Sequence, residues 1–63
     1  MNSYKEKLLN SINYYLEDNQ IIQSLLQEEE LELNETNIEQ YQIILEQNNK
    51  AIEEAHQILA NIS

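Results

Sequence analysis

Sixty-three residues, twelve of them acidic against three lysines for a formal charge of −9, predict one small acidic domain over 1–63. No cysteine and a single histidine exclude disulfides and thiolate zinc sites as supports, and a chain this short buries too little apolar surface to be comfortably stable alone. Oligomerisation or docking on a partner remains, and the charge disfavours direct binding to nucleic acid or anionic lipid while favouring a basic protein surface.

Glycine and proline are both absent. Without them there is no ready supply of positive-φ turn residues, so a compact β-structure is excluded and an all-α fold is expected. Leu, Ile, Glu and Gln, abundant along the chain, suit helices. No apolar run approaches the ~20 residues that span a bilayer, so no membrane contact is expected. The first residues lack the basic flank and apolar core of a secretory signal, which makes a cytoplasmic location the expectation.

Ser3-Tyr4-Lys5-Glu6 has the pattern of a capping box, in which a serine hydroxyl and a glutamate carboxylate satisfy each other's backbone N–H groups. A first helix over about 3–30 follows. Leu8, Ile12, Tyr15, Ile22 and Leu26 recur at spacings of four and three once Asn19 is counted among them. The pattern then breaks. Glu28, Glu29 and Glu30 near a helix C-terminus oppose the macrodipole, and heptad phase does not carry across to Ile38. Thr36-Asn37-Ile38-Glu39 offers a second capping box; Asn34 is the alternative cap, with Leu33 and Ile38 as a hydrophobic staple. Either places a turn at about 32–36.

The second helix, about 37–62, carries an unbroken heptad seam: Ile38, Tyr41, Leu45, Asn48, Ile52, Ala55, Leu59 and Ile62. In an antiparallel pair, facing positions have a constant sum. A sum of 67 matches Leu8 with Leu59, Ile12 with Ala55, Tyr15 with Ile52, Ile22 with Leu45, Leu26 with Tyr41, and Asn19 with Asn48. The expected fold is therefore a two-helix antiparallel hairpin, with Asn19 and Asn48 as register keys: a buried asparagine pair costs stability but penalises slipped registers. One continuous helix in a parallel coiled coil, and a hairpin with helices swapped between protomers, are the competing architectures.

The two seams leave apolar residues over. Tyr4, Leu25, Ile44, Ala51 and Ile58 share one flank, Leu9 and Leu16 the other, with Tyr14 and Ile21 further round the first helix. Exposed stripes of this kind mark interfaces. They predict a homodimer in the form of a four-helix bundle, or a groove for a different protein. Tyr14, Ile21, Leu25, Ile44 and Ile58 are the candidate apolar contacts, with Tyr14 as an anchor.

Chemistry is sparse. Glu53-x-x-His56 has the i, i+3 spacing of carboxylate-bridged di-metal bundles, but that site also needs inward-facing glutamates from the other helices, and no metal is assigned. No nucleophile–base–orienter set can be assembled, so neither enzymatic activity nor a cofactor is expected. The acidic residues do have a pattern. Glu28, Glu29, Glu30, Glu32, Glu35 and Glu39 crowd the turn, and Glu39, Glu46 and Glu53 line the second helix at intervals of about 10.5 Å. A solvated, solubilising face explains this in one way. A negative surface offered to a basic groove, in the extreme a mimic of nucleic-acid phosphates, explains it in another.

Glu39-Gln40-Tyr41-Gln42, followed by Lys50-Ala51-Ile52-Glu53 and Ile58-Leu59, resembles the second helix of the small co-chaperones of type III secretion needle subunits. That resemblance covers the second helix only, and implies binding to a helical-repeat chaperone and thereby to an unpolymerised needle protein. The residues themselves predict a protein-binding module that inhibits or sequesters a larger, basic partner, such as a nucleic-acid-binding protein. Small acidic proteins that phages and other mobile elements direct against host machinery fit that description. A secretion or assembly co-chaperone, or a structural coiled-coil subunit, is the alternative.

Overall fold

The computed structural model describes residues 3–62, which form two helices, α1 (Ser3–Glu32) and α2 (Glu35–Ile62), folded back on each other as an antiparallel hairpin. α1 starts at Ser3, with Glu6 in its first turn where a carboxylate favours the positive end of the dipole. The heptad seams meet. Ile12, Ile22, Asn48 and Ala55 are buried, and Leu8, Tyr15, Asn19, Leu26, Ile38, Tyr41, Leu45, Ile52 and Leu59 are half-buried. Among the seam positions Ile62, at the open end, stays exposed. The single continuous helix is thereby overturned.

The link between the helices is shorter than expected. It occupies residues 33 and 34 rather than about 32–36, so α1 runs two residues past position 30 and α2 begins two residues before position 37. The reason is that one residue serves both ends. The Leu33 N–H donates to the Glu30 carbonyl at 3.3 Å and the Asn34 N–H to the Glu29 carbonyl at 3.0 Å, the pair of bonds that closes a helix through a left-handed residue. Asn34 then turns its side chain forward: its Oδ1 accepts from the Asn37 N–H at 3.3 Å, satisfying one of the first free donors of α2. Thr36 is already helical, so the cap is Asn34 and not the box expected at Thr36. Leu33, 80% exposed, does not form the expected staple with Ile38.

Leu33 takes the left-handed conformation itself, at φ 58°. Glycine is the usual residue there, because a Cβ costs roughly 1–2 kcal/mol in that region. With no glycine in the chain, the hairpin carries this strain at its tip.

Two helices side by side make a thin body. The radius of gyration is 14.6 Å and the principal extents are 48 × 15 × 11 Å; a compact domain of this length has a radius of about 10.6 Å. Each helix has one neighbour, so only one stripe of each is covered. No helix among the described residues is long and apolar enough to cross a membrane.

Leu33→Gly should raise stability by about 0.5–1 kcal/mol, the relieved strain less the added freedom of the unfolded chain, and the melting temperature by several degrees. Asn34→Ala should lower stability by about 1 kcal/mol. Thermal unfolding followed by circular dichroism checks both signs.

Candidate protein-binding surface

The middle of the seam is polar. Asn48, 8% exposed, donates through Nδ2 to Asp18 Oδ2 at 2.8 Å and to Asn19 Oδ1 at 2.9 Å. Both amide hydrogens are therefore used. Asn19 Nδ2 in turn donates to Asn49 Oδ1 at 3.1 Å. Asn19 and Asn48 thus meet in the register whose positions sum to 67, and Asp18 and Asn49 widen the pair into a four-residue layer. Sequence reasoning missed these two. The signal was available, since Asp18-Asn19 and Asn48-Asn49 place two adjacent polar side chains on each facing segment.

The acidic residues divide into two groups. Glu28, Glu30, Glu32, Glu35 and Glu39 are all exposed around the turn, on the last turn of α1 and the first turns of α2. Glu46 and Glu53 are also exposed but lie further along α2, Glu53 about 27 Å from Glu35 by helical rise. They do not join the tip. Glu29 departs from the expected acidic face: it is half-buried, and its Oε2 is buried without a hydrogen-bond partner. The physical reason is phase. Position 29 continues the α1 seam by three after Leu26, and the register sets it opposite Ile38.

Leu31 and Leu33 stand among these glutamates, 86% and 80% exposed. Neither was foreseen as part of a site. Their signal is phase: Leu33 continues the α1 seam from Leu26 by three and four, and Leu31 continues the α2 seam back from Ile38 by four and three, each beyond the helix whose seam it extends. A shallow depression lined by Gln27, Glu30 and Leu31 lies beside them. The tip thus offers apolar contact area ringed by negative charge.

The apolar flanks are the second surface. Ile44 and Ala51 are half-buried on one flank, with Leu25 and Ile58 next to them at the edge of exposure. Further round α1, Tyr14 and Ile21 are 66% and 60% exposed, and the Tyr14 ring stands edge-on to that of Tyr15 at 5.5 Å. Leu9 and Leu16 occupy the opposite flank, exposed. Ile43, also exposed, lies on the outer face of α2 between Glu39 and Glu46 and was not foreseen.

Glu53 and His56 are both exposed, and among the described residues no three His, Cys, Asp or Glu side chains cluster in a way that could hold a metal ion. No family model, no curated protein and no solved structure matches this chain. The likeness of the second helix to needle-subunit co-chaperones therefore rests on the quoted residues alone.

Two substitutions test the seam. Asn48→Leu should destabilise by about 1–3 kcal/mol, because Asn19 and Asp18 lose their donor, whereas Asn19→Leu/Asn48→Leu should recover the part due to Asn19, with Asp18 still lacking its donor, and broaden the distribution of oligomers. Thermal melts with sedimentation velocity decide it; an unchanged oligomer distribution in the double variant would remove the register role. Separately, Glu29→Leu should raise the melting temperature, since it replaces an unpaired buried oxygen with seam packing opposite Ile38.

Proposed function

We propose that the chain is a non-enzymatic protein-binding module that inhibits or sequesters a larger protein with a basic surface, docking by the acidic turn tip. Proteins that phages or mobile elements direct at the nucleic-acid-binding machinery of a host are the class it fits, acting in the cytoplasm. We further read it as a homodimer in the form of a four-helix bundle.

The observation that carries the reading is that the tip is built against its own stability. The last turn of α1 holds no basic residue, and Glu29, Glu30 and Glu32 sit where the helix dipole favours cations. A leucine occupies the left-handed position, and it and Leu31 face water. Breaches of local preference that bring the fold nothing are expected at functional sites. The chemistry also agrees. Carboxylates steer a basic partner and set orientation, while desolvated leucines supply contact area.

A co-chaperone of a secretion or assembly system is the second reading. Tyr14 and Ile21, apolar side chains on the outer side of α1, favour it. It predicts binding with little salt dependence, lost on substituting those two residues.

The test begins with affinity capture from the organism that encodes the chain, followed by mass spectrometry and binding measurements on the captured partner. Affinity should fall steeply with added salt. The variant Glu28→Lys/Glu30→Lys/Glu32→Lys should bind at least about tenfold more weakly, yet melt at the same or a higher temperature, because it places cations at the C-terminus of α1. Wild-type binding by this variant would sink the acidic-tip reading.

A further inference from the structure

We draw no further inference here: the strongest candidate, the apolar flank that Leu25 of α1 and Ile44, Ala51 and Ile58 of α2 form along the shaft of the hairpin, carries nothing because nothing in the structure shows what covers it.

Discussion

The side-chain amide of Asn48 is the constraint on which the hairpin depends. Its two hydrogens go to Asp18 and Asn19 on α1, and among the described residues no other polar side chain of the seam is as fully buried. A slide of either helix would set this amide against leucine or isoleucine and forfeit bonds that a half-apolar interior makes expensive to lose. The apolar layers could tolerate such a slide, since isoleucine on leucine is nearly as good as isoleucine on alanine plus a shift. The polar layer could not. The turn enforces the same answer from the other end, because the midpoint of a register summing to 67 falls between Leu33 and Asn34, the two residues of the link. Two independent local preferences agree on one alignment, which is what lets so thin a structure be specific.

Much of this was legible in the residues. Spacings of three and four along Ile38 to Ile62 fixed α2, and matching them against Leu8, Ile12, Tyr15, Ile22 and Leu26 gave the hairpin. What escaped had local causes. Asn34 and Thr36 both read as caps, and the choice between them depends on how α1 ends, which in turn depends on whether a non-glycine residue accepts a left-handed φ. Leu33 does. Sequence rules count that as improbable, so the link was drawn too long. Glu29 was misplaced by chemistry prevailing over phase: it sits in a run of glutamates and was grouped with them, although seam spacing from Leu26 turns it inward.

The surface was harder to read than the fold, because exposure is a property of what is missing opposite a residue. Leu25, Ile44 and Ile58 were identified as surplus to the seams by subtraction, and that subtraction holds in a two-helix body. Leu31 and Leu33 were not: Leu33 reads as a staple partner of Ile38, and Leu31 reads as part of neither seam nor flank. Their exposure, together with glutamates at the wrong end of a helix dipole, makes the tip the least stable part of the design by its own local rules. The strained left-handed leucine sits in the same few residues. Stability is given up where the chain has the most negative charge and the most exposed apolar side chains, not at random along it.

The two surfaces also sort by what each can tolerate. The flank around Ala51 sets Leu25, Ile44 and Ile58 beside Asp18, whose carboxylate accepts from Asn48. The tip has the opposite character: its glutamates would repel a second tip but attract a basic surface. Apolar area along the shaft is thus set apart from charge at the turn end. A chain with its glutamates spread evenly over both would have neither a quiet flank nor a focused pole. The register set by Asn48 is what keeps that division in place, because a slipped hairpin would rotate no residue onto a new face but would move the surplus apolar side chains of the two helices out of line with each other.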